Sequence, residues 1–166
     1  MFLLWRGVLG VLLAGIVAGM AMGATPPVRL ALFTFELDDF SAALSNGSAD
    51  PADTAALARV TADVRKLLAE SGRYDLVAVA DNAGKSLRDC NGCDAPLALE
   101  RGAEQSFVGV VKRISRTEYQ VRFQLRDART GAVIAEADTG LRMGAMDSWN
   151  RGALRLVKDR LLKDPA

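Results

Sequence analysis

The chain has 166 residues, with 21 Lys and Arg against 20 Asp and Glu, and it contains no histidine. The missing histidine excludes Ser–His–Asp and Cys–His catalysis and every histidine-ligated metal site. Nucleic-acid-binding proteins carry a surplus of basic residues, which this composition lacks, so we expect no nucleic-acid partner.

Residues 1–24 have the pattern of a secretory signal peptide. Arg6 is their only charged residue, an apolar stretch covers Val8–Met20, and Ala21-Met22-Gly23 supplies the small residues that a signal peptidase reads. No cysteine stands at this site, so we expect no lipid anchor. The leader predicts export to the periplasm of a Gram-negative bacterium, or secretion, with no membrane span left after cleavage. Its retention as an anchor is the alternative, and residues 25–166 are predicted to form a single domain.

The first half of the exported chain predicts a strand, a long helix and a second strand. Arg29–Phe35 is rich in large apolar residues, which favours a buried strand, and a polar connection with a turn at Asn46-Gly47-Ser48 follows it. Asp50 is a good N-cap for a helix over Pro51–Ser71, whose apolar residues recur at helical spacing. Tyr74–Ala80 then predicts the second strand.

The second half predicts a short helix, three strands and a final helix, over Asp94–Arg101, Ser106–Ile114, Glu118–Arg126, Ala132–Asp138 and 149–162. Asp94 is the expected cap of the short helix, and Asp147 or Ser148 that of the last one. The apolar stripe that begins at Trp149 predicts a core position for this residue. We interpret Arg126 and the other arginines of the meander as a solvated strand face.

The predicted order is therefore β-α-β-α-β-β-β-α. It indicates a mixed α/β (α+β) fold with one mixed sheet and the helices packed on that sheet. The first three strands are joined by helices and should run parallel, whereas the last two are joined by short turns and should be antiparallel.

Cys90 and Cys93 are the only cysteines, and in an oxidising compartment we expect them to form a disulfide with each other. The bond closes a tiny loop and should stabilise the fold little, so its expected effect is to lock a turn in which Asn91-Gly92 is left-handed. A redox-active pair is the alternative, because Cys93 lies just before a helix N-terminus, where a thiol pKa is lowered. Loops on rigid scaffolds commonly bind partners, so this loop supplies the candidate contact residues Arg88, Asp89, Asn91, Gly92 and Asp94.

A second candidate site is the acidic group Glu36, Asp38 and Asp39 at the end of the first strand. Ligands favour the carboxyl ends of parallel strands, and clustered carboxylates attract calcium. The EF-hand pattern is absent, however, and acidic loops are usually just solvated. We therefore predict a site without a metal or cofactor, with a small polar ligand as the remaining use for these carboxylates.

Several stretches resemble a family of secreted proteobacterial proteins that is known only as a domain of unknown function, most specifically RDCNGC at 88–93 and SWNRG at 148–152. The order of elements, with ALFTF at 31–35 and RTG at 129–131, is more distantly similar to periplasmic α/β domains. These are the domains of the TolB N-terminal, curli-secretion and penicillin-binding-protein-activator type. The resemblance implies a binding or assembly domain rather than an enzyme.

From these observations we predict a non-enzymatic periplasmic or secreted protein. Its expected role is protein–protein interaction or accessory assembly in the cell envelope, with an envelope protein as partner and its own oligomeric state left open. Two alternatives remain, a thiol–disulfide protein that uses Cys90 and Cys93 and a carrier of a small ligand bound near Glu36.

Overall fold

The strands of the protein form one mixed sheet in a computed structural model that describes residues 26–41, 50–79 and 86–163. The predicted leader and the predicted turn at residues 46–48 lie outside the described residues. The strands are β1 (Val28–Leu32), β2 (Glu36–Asp39), β3 (Tyr74–Val77), β4 (Gln105–Arg113), β5 (Glu118–Asp127), β6 (Val133–Asp138) and β7 (Arg142–Met143).

The sheet has the order β3-β1-β4-β5-β6. In addition, β2 pairs with β4 beyond the end of β1, and β7 pairs with β5 beyond the end of β6. β1 runs parallel to β3 and to β4, while β5 runs antiparallel to both of its neighbours, β4 and β6. The predicted mixed sheet and its strand directions are confirmed.

Three helices cover the sheet unequally. They are α1 (Pro51–Glu70), α2 (Asp94–Glu100) and α3 (Trp149–Val157), and a π-helical turn (Lys158–Leu162) extends α3. α1 and α3 pack on one surface, called here the first face, where Trp149, Phe107 and Leu30 are fully buried in the main core. α2 and the chain before it cover part of the opposite surface, called here the second face, over a smaller core around Phe33 and Ala98.

Helix caps agree with the sequence at α1 and differ at the other two helices. Asp50 Oδ1 accepts a hydrogen bond from Ala52 N at 2.8 Å, as predicted for the cap of α1. The predicted cap Asp94 is wrong, because Cys93 holds the N-cap position of α2. For α3, predicted to be capped by Asp147 or Ser148, Ser148 holds the N-cap position but makes no side-chain cap bond. Cys93 and Ser148 already have right-handed helical torsions, whereas a capping side chain needs an extended backbone.

The polar connection predicted after the first strand is also wrong in its first part, because residues 36–39 return to the sheet as β2. Leu32 lies opposite Phe107 and Glu36 opposite Val110, so the segment from β1 to β2 advances by four residues while β4 advances by three. The one extra residue is a β-bulge. Side chains alternate between the faces of a strand, and one extra residue therefore turns β2 over relative to β1.

Helix α1 satisfies the backbone groups that this bulge removes from the sheet. Phe35 N donates to Thr61 Oγ1 at 2.9 Å, and Arg65 Nη2 donates to Leu32 O at 3.0 Å. The Phe35 ring lies on the first face against Gly109, where a Cβ atom would overlap it. The bulge thus depends on a hydroxyl from α1 and on a missing side chain in β4.

We expect Thr61→Val to lower the free energy of unfolding by about 1–3 kcal/mol, because it leaves the buried amide of Phe35 without an acceptor. Thr61→Ser is the matched control, since it keeps the hydroxyl and should retain most of that stability. Urea unfolding followed by circular dichroism measures both variants. Equal losses for valine and serine would show that the hydroxyl has no role in holding the bulge.

Candidate functional site

The loop before α2, residues 86–93, is called here the disulfide loop, and it lies over the second face. Cys90 and Cys93 are joined by a disulfide. Asn91 has a φ of +48° and Gly92 a φ of +109°, so the left-handed turn predicted between the cysteines is confirmed. Only glycine adopts the second of these torsions readily, which fixes the direction in which the loop approaches the sheet.

Glu36 holds the start of the disulfide loop. Its carboxylate accepts hydrogen bonds from Leu87 N at 2.7 Å, from Arg88 N at 3.4 Å and from Ser86 Oγ at 2.7 Å. Each of these hydrogen bonds is strengthened because its acceptor is charged. The bulge between β1 and β2 directs Glu36 to the second face, and the sequence-predicted acidic site at this residue is therefore engaged in holding the loop.

Arg88 attaches the same loop to β2. Its Nη1 donates to Leu37 O, and its Nε lies 3.0 Å from Asp89 Oδ2. The Arg88 side chain is largely buried, whereas that of Asp89 is 68% exposed. Of the predicted contact residues, Asp89 and Asn91 are therefore on the surface, and Arg88 fixes the loop that carries them.

Asp94 is buried at the far end of the loop. Its Oδ2 accepts from Ser106 Oγ, and its Oδ1 lies 3.7 Å from Arg126 Nε. Arg126 also donates to Gly131 O at 2.9 Å and to Gln124 Oε1 at 2.8 Å. Asp94 therefore joins α2 to β4 and β5, and it is not available on the surface as a contact residue.

Arg126 is a residue whose role the sequence analysis missed. It was interpreted as part of a solvated strand face, yet its side chain is only 13% exposed and its guanidinium lies beside Gly92. Strict alternation in β5 did place Arg122 and Arg126 on one face. What the pattern lacked was any sign that a loop distant in sequence covers that face.

A cleft of about 520 Å³ opens between the disulfide loop and strands β5 and β6. Its charged lining residues are Arg88, Arg122, Arg126, Asp89, Asp94, Glu136 and Asp138. Both signs of charge are present, and amide and backbone groups lie between them. Such a lining suits a polar group that carries donors and acceptors together, as a peptide segment or a small zwitterion does.

The other two residues of the predicted acidic group, Asp38 and Asp39, lie on opposite faces of the sheet. Alternation along β2 places Asp38 with Glu36 on the second face and Asp39 on the first. Arg113 Nη2 pairs there with Asp39 and, at 2.6 Å, with Asp53 of α1. The hydrogen bond from Arg113 is the main cause that lowers the pKa of Asp39 to about 2.

Two further findings concern the part of the chain that the structure describes. It contains no group of three cysteine or acidic side chains placed to hold a metal ion. None of its helices combines the length and the hydropathy that crossing a membrane requires.

The family described as "Protein of unknown function (DUF2380)", DUF3280, matches residues 28–161. The chain belongs to the DUF3280 family. The expected resemblance to a family of unknown function is thereby confirmed. No curated protein matches the sequence.

Solved structures show where else this DUF3280 fold occurs. The PelC dodecamer from Paraburkholderia phytofirmans is 17% identical, with a TM-score of 0.51 over 86% of this chain and 92% of that one. Lipoprotein GNA1162 from Neisseria meningitidis is 15% identical, with a TM-score of 0.50 over 73% and 84%. The C-terminal domain of LpoB from Salmonella enterica is 21% identical, with a TM-score of 0.47 over 74% and 87%. At such identities, the matches to PelC and GNA1162 show a shared fold.

We expect Glu36→Gln to loosen the start of the disulfide loop, because a neutral amide binds the three donors less strongly than a carboxylate. Hydrogen exchange measured by NMR should be about tenfold faster at the Leu87 and Arg88 amides and unchanged in β4. Asp38→Asn, on the same face of β2, is the matched control. Unchanged exchange at both amides would contradict the anchoring role of Glu36.

We expect Asp39→Asn to lower the free energy of unfolding at pH 7 by about 1–3 kcal/mol, because it breaks a charge-assisted bond to Arg113. The pKa of Asp39 is depressed from 3.8 to about 2, so its contribution is complete above pH 3.8 and disappears as the pH falls to 2. Urea unfolding at several pH values should therefore show the two proteins converging in acid. A difference that persists unchanged to pH 2 would contradict this assignment, and Asp38→Asn again serves as the control.

Proposed function

We propose that this DUF3280 member is a non-enzymatic interaction or assembly domain of the bacterial cell envelope, located in the periplasm or secreted. The observation that carries the proposal is the way in which the disulfide loop is held. A disulfide, the carboxylate of Glu36 and the side chain of Arg88 fix its backbone, while Asp89 and Asn91 remain exposed.

A loop fixed in this way suits recognition of another protein. Binding orders side chains and loops at an entropic cost, and a loop that is already ordered avoids most of that cost. The adjoining cleft offers both charge signs to the groups of a partner that extend past the loop. The partner contact is therefore proposed at the exposed residues Asp89 and Asn91, with the cleft beside them.

The comparisons agree with this role without defining it. One protein with the same fold is a dodecamer and another is a lipoprotein. An assembly of identical subunits and a partner of a different kind are both compatible with the exposed loop. A second copy of the chain is accordingly one of the partners that the test has to detect.

A small-ligand carrier is the second candidate, and the volume of the cleft favours it. About 520 Å³ lies within the range of about 300–1,000 Å³ that small-molecule sites occupy. The ligand would bind between Arg122 and the loop, because the carboxylate of Glu36 is already hydrogen-bonded. A thiol–disulfide role remains the third candidate, supported by the position of Cys93 at the start of α2.

The test places a photoreactive phenylalanine analogue at Asp89 in the full chain expressed in its native cell. Asp89 is chosen because the left-handed backbone of Asn91 resists a bulky side chain. The control position is Arg59, which is exposed on α1. We expect discrete crosslinked adducts from position 89, fewer of them after Cys90→Ser/Cys93→Ser, and none at position 59.

The mass of the adduct distinguishes the partners, since a dimer of the chain indicates self-assembly and any other mass a different envelope protein. Identical products from positions 89 and 59, or none from position 89, would overturn the interaction role of the loop. Thiol exchange by the purified chain that disappears in the double serine variant would favour the redox candidate instead.

A further inference from the structure

Strand β6 forms an edge of the sheet, and among the described residues it pairs with β5 alone. Thr139 N donates to Val121 O at 2.9 Å, which makes this pair a hydrogen-bonded position of the antiparallel ladder. Such positions alternate along the strand, so Glu136 and Asp138 direct their backbone N–H and C=O groups away from β5. These groups form the template to which another strand can be added.

A strongly basic cleft of about 680 Å³ adjoins this edge on the side of α3. Its lining includes five basic residues: Arg142, Arg151, Arg155, Arg160 and Lys163. Only two acidic residues accompany them, Asp138 and Asp159. The chain as a whole is almost neutral, so this concentration of positive charge is a local property of the cleft.

The cations of the cleft remain accessible to a ligand. Arg155 lies 3.5 Å from Asp159, but its side chain is 84% exposed, and such surface pairs hold a side chain only weakly. Arg151 donates to Ser148 Oγ at 3.3 Å and is also exposed. Four of the five cations are arginines, whose planar guanidinium groups bind carboxylates through two hydrogen bonds at once.

The side chains of β6 itself leave room beside the edge. Ala135 and Ala137 face α3 and pack against the main core, whereas Glu136 points to the second face, where it accepts from Gln124. A strand added beside β6 would lie about 4.8 Å away and send every second side chain toward α3. Those side chains would arrive at the basic cleft.

Exposed apolar residues extend along the same edge. Ile134 in β6 is 49% exposed, and Leu141 and Met143 around β7 are 61% and 72% exposed. A partner strand that follows the edge would cover part of these side chains. The edge therefore combines free backbone groups, positive charge on one face and apolar surface at both ends.

We propose that β6 binds an extended segment of a partner protein that carries acidic side chains at every second position. The segment adds to the sheet as a strand, its backbone pairs with Glu136 and Asp138, and its carboxylates contact Arg151 and Arg155. This surface is separate from the disulfide loop, so the inference does not depend on the loop being the contact.

The edge also has a simpler interpretation, because charged residues on edge strands prevent uncontrolled pairing. The distribution of charge argues for a specific occupant. Glu136 points to the second face, near Arg122 and Arg126, and Asp138 lines both clefts, while the cations of α3 line the side that a partner's alternate residues would reach. A chain with acidic residues on that side is attracted, and a basic one is repelled.

The experiment measures binding of fluorescein-labelled peptides of about ten residues to the full chain. One peptide alternates Glu with Thr, and a second has the same composition with the glutamates grouped together. We expect the alternating peptide to bind more tightly, to weaken with added salt, and to slow hydrogen exchange at the Glu136 and Asp138 amides.

Two pairs of variants separate charge from strand addition. Arg151→Gln/Arg155→Gln should weaken binding about tenfold, whereas Arg59→Gln/Arg129→Gln, with the same loss of charge elsewhere, should not. Glu136→Pro removes an outward N–H and keeps the pairing with β5, so it should weaken binding, while Glu136→Ala should not. The two double arginine variants should leave the crosslink at position 89 unchanged, which distinguishes this inference from the proposed function.

Several results would overturn the inference. Equal affinity for the two peptides, or for Glu136→Pro and Glu136→Ala, would show that the cations attract acid without strand addition. Phosphatidylglycerol vesicles that bind the chain and displace the peptide, with no protection of the β6 amides, would assign the cleft to a membrane surface. The absence of any peptide binding at low salt would show that the edge does not bind an acidic segment.

Discussion

The constraint on which the rest of this structure depends is the single extra residue between β1 and β2. It turns the chain over, so Glu36 faces the disulfide loop on one side of the sheet and Asp39 faces Arg113 on the other. Without the extra residue, both carboxylates would exchange faces. The bulge persists because Thr61 binds the amide of Phe35 and Gly109 leaves space for its ring. A buried hydroxyl and a missing Cβ thus determine which face receives the loop.

As a consequence of this constraint, the two faces of the sheet are covered to different extents. The first face is closed by α1 and α3, and its main core is built of large apolar side chains. The second face is closed only in part, by a short helix and a loop with the small core beneath them. The uncovered part retains charged residues from β5 and β6, and the two candidate surfaces meet at β6, where Asp138 lines both clefts. Function is proposed where burial is incomplete, because backbone and charged groups remain free to bind there.

Much of the fold was predictable because its signals are local. Helical spacing and Asp50 defined α1, strict alternation defined β5, and glycine marked the hairpin that ends at Gly131, which has a φ of +72°. The failures also have a local cause. Asp94 resembles an N-cap in sequence, but its position is determined by Ser106 and Arg126, which are distant in the chain. A bulge likewise leaves no local signature when the residues that support it belong to another helix and another strand.

The sequence by itself determined the order of the three helices and of strands β1, β3, β4, β5 and β6, the directions of these strands and the left-handed turn between the cysteines, since each follows from short-range periodicity and backbone sterics. It missed β2 and β7. Only the tertiary structure decided which charged residues meet. Glu36 and the amides that it binds are about 50 positions apart, and the arginines of α3 reach the edge of β6 across the surface of the sheet. Such pairings depend on register and on the face that each strand presents, and one inserted residue changes both for every residue that follows it in the strand.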